Sequence, residues 1–278
     1  MKVFRVIGNP ISQSLSPQIH AEFARQLNLT LDYQAELLPK EGFISGIQRL
    51  LSQGVNGFSI TLPFKQEACR LAEVLTPRAQ KASSVNTLWV HPWDQKLHGD
   101  NTDGAGLIQD LSRNQQLDLH HKQVLVVGSG GAALGIIWPL LDAGAWVTVM
   151  SRRVLDDLHP LKGFSHERLT LSVLSEKSEG GNGFDLIINA TPVGLKDSQE
   201  NFEITWPRSW VGNYSFAYDL GYSKNNQPTC FMRWALDQGA EKAADGFGML
   251  LEQAALQFEI FMGVRPKISE ELWGLRKD

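Results

Sequence analysis

Cysteine is nearly absent from this chain: Cys69 and Cys230 are the two in 278 residues, and they form no CxxC pair. That excludes a disulfide scaffold, and the two thiols read as reduced, structural side chains of a cytosolic protein. Positive charge is not in excess either, with 26 Lys and Arg against 30 Asp and Glu and a net charge of −4. A nucleic-acid surface would want a basic stripe, so no nucleic acid is expected as a partner. The seven histidines show no metal-ligand spacing; His120-His121 reads as a solvated loop pair, and no metal site is expected. No charged-then-apolar secretory leader opens the chain, and residues 1–7 look instead like a first strand. One segment, residues 133–150, imitates a membrane span, but Pro139, Asp142 and Gly144 interrupt it. With Val147-Thr148-Val149 behind them, a buried helix, a turn and a buried strand are expected, and no membrane. There is no internal repeat and no low-complexity tract, and the Ser/Gly/Glu-rich stretch 175–183 reads as a surface loop.

What is present suffices for a packed core. Hydrophobic residues make up 42% of the chain, and its length fits one large domain or two ordinary ones. Strand-like and helix-like segments alternate. Strands are expected at 3–7, 31–37, 57–60 and 85–90, and helices at 17–27, 41–51 and 103–111. Ser16 would cap the first helix, with Pro17 at its first position. A second block has strand 123–127, helix 131–141, strands 146–150, 185–189 and 216–220, and a long helix at 247–262. The alternation predicts parallel α/β sheets with right-handed crossovers. We expect two lobes with a cleft between them, residues 1–102 with 240–278 forming one and 103–239 the other, a usual place for a substrate to meet a cofactor.

The second block opens on its most informative motif. Gly128-Ser129-Gly130-Gly131-Ala132-Ala133 follows the apolar run Val124–Val127 and begins a helix-like stretch. Glycines let the backbone approach a pyrophosphate, and the helix start offers it N–H groups and a partial positive charge. The next strand ends at Ser151-Arg152-Arg153. An NAD site usually carries Asp or Glu there for the ribose 2′-hydroxyl; this chain has no acid and two arginines, which suit a 2′-phosphate. NADP is the cofactor read from this, against the plainer possibility of a solvated basic turn.

Candidates for chemistry lie earlier. Thr61-Leu62-Pro63-Phe64-Lys65 places a hydroxyl and a lysine just past a strand end. Such a lysine could donate a proton or stabilise an alkoxide, or could simply start a surface helix. Asp103, in Gly99-Asp100-Asn101-Thr102-Asp103-Gly104, could cap the following helix, face the cleft, or both. Which of Lys65 and Asp103 would deliver a proton stays open. Ser14 has no evident structural task if Ser16 caps the helix. Asn86 reads as an amide on a strand. Gln253 follows Met249 by one helical turn and would need a partner if buried.

Taken together these segments resemble the shikimate dehydrogenase family nearly end to end. The most specific matches are Ser14-Leu15-Ser16-Pro17, Thr61–Lys65, Val85-Asn86-Thr87, Gly99–Gly104 and the glycine turn. Asn189-Ala190-Thr191-Pro192, Tyr218-Asp219-Leu220-Gly221-Tyr222 and Asp245-Gly246-Phe247-Gly248-Met249-Leu250 add to them. The resemblance implies an N-terminal α/β substrate domain with a mixed, mostly parallel sheet and a Rossmann-type NADP domain. It implies the reversible NADPH-dependent reduction of 3-dehydroshikimate to shikimate, in the cytoplasm, by a monomer or homodimer. Lys65 and Asp103 would be the catalytic pair, and Ser14, Ser16, Thr61, Asn86, Tyr222 and Gln253 would hold the substrate. Gly128, Ser129, Gly130, Gly131 and Ala132 would take the pyrophosphate, and Ser151, Arg152 and Arg153 the adenosine phosphate end. Thr191, Leu220, Gly246 and Met249 complete the cofactor set, the last three lining the nicotinamide. The chain departs from the family at Ser59, often Asn, at Pro77, commonly acidic, and at Ser151-Arg152-Arg153, usually Asn-Arg-Thr. A quinate/shikimate dehydrogenase and a non-catalytic NADP sensor are the rival readings.

Overall fold

The computed structural model describes residues 1–174, 183–193, 206–223 and 225–276; all but Gly183 of the loop expected at 175–183 lies outside them. Two compact units are present: Met1–Gly106 with Leu250–Leu275, and Leu107–Met249 with Arg276.

In chain order the first unit contains β1 (Lys2–Gly8), α1 (Ser16–Gln26), β2 (Leu31–Leu37), α2 (Phe43–Ser52), β3 (Gly57–Ile60), α3 (Lys65–Leu71), β4 (Val74–Leu75), α4 (Pro77–Ala82), β5 (Thr87–Val90), β6 (Leu97–Asp100) and the start of α5 (Asp103–Gln109). Its sheet runs β2-β1-β3-β5-β6-β4. β5 is antiparallel to both neighbours, and the other pairings are parallel. Strand alternation sorts the side chains by face. Phe4 and Val6 of β1 pack with Tyr33 and Phe261, whereas Ile7 joins Phe58 and Ile60 of β3 against Phe43, Ile47 and Phe64. Ser59, between two core residues of β3, therefore turns to the Tyr33 face.

Ser16 is not the cap of α1. The residue before the helix is Leu15, in a helical conformation, with no side-chain cap bond. Ser14 takes the local role instead, its Oγ accepting from the Ser16 N–H at 3.3 Å. Since Leu15 is already helical, the Ser16 side chain lies inside the helix, and the extended conformation a cap requires is missing.

His20 of α1 is fully buried, stacked on Tyr33 with ring centroids 4.1 Å apart. Neither ring nitrogen has a hydrogen-bond partner. Burial pushes its pKa from 6.5 down to about 3; the nearby Gln257 amide opposes this in part, from outside hydrogen-bond geometry. Below pH 6.5 the unfolded chain binds a proton here that the folded chain refuses until about pH 3. Stability from this site is thus present above pH 6.5 and is lost as pH falls through that window, at up to about 1.4 kcal/mol per pH unit. His20→Phe should therefore gain stability relative to the parent as the medium is acidified, in urea melts at a series of pH values. A difference independent of pH would contradict this.

The second unit contains β7 (Gln123–Val127), α6 (Gly131–Asp142), β8 (Trp146–Ser151), β9 (Leu169–Val173), β10 (Phe184–Asn189), β11 (Val211–Asp219), α7 (Cys230–Asp237), β12 (Lys242–Asp245) and the start of α8 (Phe247–Met262); α8 continues in the first unit, as does α9 (Glu270–Gly274). Its sheet is parallel throughout, in the order β12-β11-β10-β7-β8-β9. Val124 and Val126 face one apolar cluster, and Leu125 and Val127 the other. Burial on both faces is why these strands read as continuous apolar runs. The run 133–150 is helix, turn and strand as expected, and among the described residues no helix is long and apolar enough to cross a membrane.

Residues 240–278, expected wholly in the first unit, divide instead. β12 pairs with β11 from Phe216↔Lys242 to Asp219↔Asp245, so the chain does not leave the second sheet until α8. Arg276 also returns to this unit, its guanidinium bonded to Asp245 and the Ser223 carbonyl. The earlier crossing falls inside α5, after Gly106, rather than before residue 103.

Candidate active site

In the first unit the sheet itself gathers the chemistry. Ser59 of β3 pairs with Thr87 of β5, and Thr87 with Asp100 of β6. Because β5 is antiparallel, the end of β3, the start of β5 and the end of β6 share one edge. The segments beyond them bring Lys65, Asn86 and Asp103 together. Lys65 Nζ donates to Asp103 Oδ2 at 2.6 Å, with side-chain exposures of 12% and 6%. Asn86 Nδ2 donates to Asp103 Oδ1 and to Thr102 Oγ1, each at 2.8 Å. The Asn86 Oδ1 accepts from the Thr102 N–H at 2.9 Å and from Thr87 Oγ1 at 2.8 Å, which fixes which way the amide faces. Asn86 lies just before β5, not on the strand as expected.

Asp103 is released from helix capping. Asn101 Oδ1 accepts the Asp103 N–H at 3.1 Å, leaving the carboxylate to Lys65 and Asn86. Gln253 of α8 brings its Oε1 within 3.4 Å of the Thr102 hydroxyl and 3.3 Å of Asn86 Nδ2. Gly106 makes this approach possible, since a Cβ there would sit 2.7 Å from the Gln253 Cβ. Thr61 follows β3 and is half-buried, like Ser14, while Ser16 is buried. Pro77 opens α4 behind the Thr76 cap, and Arg78 forks onto Asp100 at 2.6 and 2.5 Å. Of the residues expected to hold substrate, Tyr222 alone belongs to the second unit, where its ring lies 6.0 Å from Phe247.

In the second unit, Met150, Val127, Asn189, Asp219 and Asp245 pair across the sheet in one row at the carboxyl ends of their strands. Strand order reverses between β7 and β10, and the crevice at such a reversal is where parallel α/β sheets take ligands. The expected cofactor residues follow this row. Gly128 has φ +112°, a conformation that favours glycine, and a Cβ there would lie 3.1 Å from the Ala190 carbonyl. Gly130 caps α6 with no side chain, and open space surrounds its Cβ position. No acid stands in the first turn of α6, so the helix start and the glycine turn fit a pyrophosphate.

The buried Ser151 hydroxyl donates to the Arg153 carbonyl at 2.7 Å and shapes the turn, leaving Arg152 and Arg153 exposed. Thr191 bonds through its N–H and its hydroxyl to Asn189 Oδ1 at 3.1 and 2.6 Å. A Cβ at Gly246 would strike the carbonyl of Leu220, and Met249 is buried in the unit's core.

The roles of two contributors escaped sequence reasoning. His159 Nδ1 accepts from the Leu161 N–H at 3.2 Å, so its Nε2 carries the proton and donates to the Ser129 carbonyl at 3.1 Å, holding the glycine turn. Asp219 binds the Asn189 amide at 3.0 Å and the Gly221 N–H at 3.1 Å, and burial raises its pKa to about 6. His159 sits in no motif, and Asp219 entered only inside the Tyr218–Tyr222 match with no role of its own, because each acts through the fold.

The histidines also hold a surprise. His91 Nδ1 and His98 Nε2 meet Asp94 at 3.2 and 3.0 Å, and the three ligating atoms lie within 4.8 Å of one another. No metal grouping was expected, and the spacing gave no sign of this one. The two rings stack at 4.3 Å and 18°, so their in-plane lone pairs run side by side and do not converge on one ion. A carboxylate stitching the β5–β6 hairpin accounts for the cluster.

A parallel sheet with a glycine turn at its reversal, together with a mixed α/β unit that assembles a lysine–carboxylate pair, defines a dinucleotide-dependent oxidoreductase class. The chain matches the shikimate dehydrogenase substrate binding domain over residues 6–88, a putative NAD(P)-binding domain over 116–201 and the shikimate 5′-dehydrogenase C-terminal domain over 246–270. It is 39% identical to the shikimate dehydrogenase (NADP(+)) of Alcanivorax borkumensis, over 99% of this chain and 96% of that one. It is 41% identical to that of Aromatoleum aromaticum, with the same coverage. The Ael1 enzyme from Pseudomonas putida superposes with a TM-score of 0.83 at 34% identity, covering 99% of this chain and 98% of the other. Shikimate 5-dehydrogenase from Thermus thermophilus, in complex with NADP(H) and shikimate, superposes with a TM-score of 0.80 at 29% identity, covering 100% and 98%. The chain belongs to the shikimate dehydrogenase family.

Proposed function

We propose that this protein catalyses the reversible NADPH-dependent reduction of 3-dehydroshikimate to shikimate, a step toward chorismate and the aromatic amino acids. The observation that carries the reading is the Lys65–Asp103 pair, bonded at 2.6 Å and nearly closed to water beside Asn86 and Gln253. NADPH, when bound, supplies the hydride. As the ring ketone becomes an alkoxide, Lys65 Nζ gives the oxygen a proton, and Asp103 holds the ammonium in place and takes part in its return. In the reverse direction the pair accepts the hydroxyl proton. Ser14, Ser16, Thr61, Asn86, Tyr222 and Gln253 hold the substrate's hydroxyls and carboxylate.

The glycine turn from Gly128 to Ala132 holds the pyrophosphate. Arg152 and Arg153 meet the 2′-phosphate, Thr191 belongs to the cofactor set, and Leu220, Gly246 and Met249 lie toward the nicotinamide. Residues 1–106 with 250–275 act as the substrate domain and 107–249 as the NADP domain. The enzyme works in the cytoplasm, as a monomer or a homodimer. An acid after β8 would favour the quinate/shikimate reading with NAD, and Arg152-Arg153 stands there instead. A sensor that does no chemistry has no need of the lysine–carboxylate pair. The purified protein with 3-dehydroshikimate should consume NADPH, followed by its absorbance; no consumption overturns the reading.

A further inference from the structure

Three buried polar side chains of the first unit have no role above: Tyr33 of β2, Ser59 of β3 and Gln257 of α8, exposed by 7%, 4% and 2%. Each is bonded to the next. The Tyr33 hydroxyl donates to Ser59 Oγ at 2.6 Å, and Ser59 donates to Gln257 Oε1 at 2.6 Å. Gln257 Nε2 donates to the backbone carbonyl of Asn86 at 3.0 Å. All the donors point one way, so each bond polarises the next. The Asn86 carbonyl also accepts the Ile60 N–H at 2.7 Å, and the Asn86 N–H donates to the Asp100 carbonyl at 3.0 Å. The residue is thus clamped between β3, β6 and α8, and its side chain carries the restraint to Asp103 Oδ1 at 2.8 Å.

Packing alone does not call for such a set. An apolar trio of similar volume would fill the space without three desolvated polar groups, each of which is tolerated only while all its partners are in place. What the polar trio adds is direction, because its last bond falls on Asn86, whose amide holds Asp103 Oδ1.

We propose that Tyr33, Ser59 and Gln257 are positioning residues, a buried relay that fixes Asn86 and through it the alignment of Asp103 with Lys65. The proposal rests on the assignment of Asn86 and Asp103 to the reaction site.

The test compares Gln257→Leu and Gln257→Glu with the parent enzyme. The leucine variant removes both halves of the relay bond. Its kcat/KM for shikimate should fall about tenfold while KM for NADP+ stays within about twofold. In the glutamate variant a protonated carboxyl can accept from Ser59 and donate to the Asn86 carbonyl as the amide does. The carboxylate can only accept, and it faces that carbonyl. The titratable groups facing position 257 are His20 and, through Ser59, Tyr33, with Lys65 and Asp103 beyond Asn86. Gln257→Glu is therefore also made in a His20→Phe background.

In both backgrounds its kcat/KM relative to its own parent should be near unity at the acid end of the stable range and fall as pH rises. A merely structural role gives no such new ionisation. Wild-type turnover in Gln257→Leu, or a glutamate-to-parent ratio that is flat with pH, overturns the relay. Asn86→Ala separates the two levels. If Asn86→Ala is crippled while the Gln257 variants behave as wild type, the relay alone fails. If Asn86→Ala turns over normally, the site assignment fails and the relay with it.

Discussion

Lys65→Ala is expected to lose about 10³-fold in kcat, while its affinity for NADP+ stays within about twofold of wild type. The side chain opens α3 and reaches Asp103 at 2.6 Å, far in sequence from the glycine turn at Gly128. Removing it takes away the proposed proton donor, and the residues proposed to hold the dinucleotide belong to the second unit. The loss should therefore fall on the chemical step, with cofactor binding, read by equilibrium titration, unchanged. Truncation also leaves Asp103 buried with one partner fewer, a source of instability distinct from lost catalysis. Lys65→Met keeps the apolar stem, and Asp103→Asn keeps the shape while removing the charge. Both should lose kcat by a comparable factor; each also breaks the buried charge pair, so a lower melting temperature is expected and is read separately from kcat. Wild-type kcat in either lysine variant removes Lys65 from the mechanism.

The second large effect concerns cofactor choice. Arg152→Ala with Arg153→Ala should raise KM for NADP+ roughly 10- to 100-fold and leave KM for NAD+ unchanged. The factor is modest for two lost cations because both side chains are exposed, and water and salt screen them. Ser151 should contribute little of this, since its hydroxyl is engaged by the Arg153 carbonyl. The effect should shrink as ionic strength rises. Equal losses with both cofactors would mean that the arginines support the turn and do not meet a 2′-phosphate.

Much of this was legible in the sequence, for identifiable reasons. The strand–glycine–helix succession at Val124–Leu141 carries its own local signals, and the structure reproduces it as β7, the turn and α6. Lys65 stood out because it follows a strand end, Asn86 as an amide read on a strand and Asp103 as a carboxylate at a helix start; the antiparallel β5 then brings the end of β3, the start of β5 and the end of β6 to one edge. Ser16 misled, because a serine before a proline looks like a cap in sequence while Leu15 is already helical in space. The domain limit near residue 240 misled because β12 is only Lys242–Asp245, too short to announce itself as a sheet member. Ser59 drew notice only as a departure from a family pattern. Its meaning needed Gln257, 198 positions away, and no local pattern predicts that partnership. The roles of His159 and Asp219 were hidden for the same reason: each supports the cofactor edge through a bond that exists only once the chain has folded.

The most direct measurement of the whole account is kcat/KM for the purified enzyme on shikimate and on quinate, each with NADP+ and with NAD+. The proposed polyol site around Lys65, Asp103, Asn86 and Gln253, with the proposed 2′-phosphate site at Arg152-Arg153, predicts that shikimate with NADP+ exceeds every other combination by about tenfold or more. Quinate or NAD+ supporting turnover equal to that of shikimate with NADP+ would contradict it.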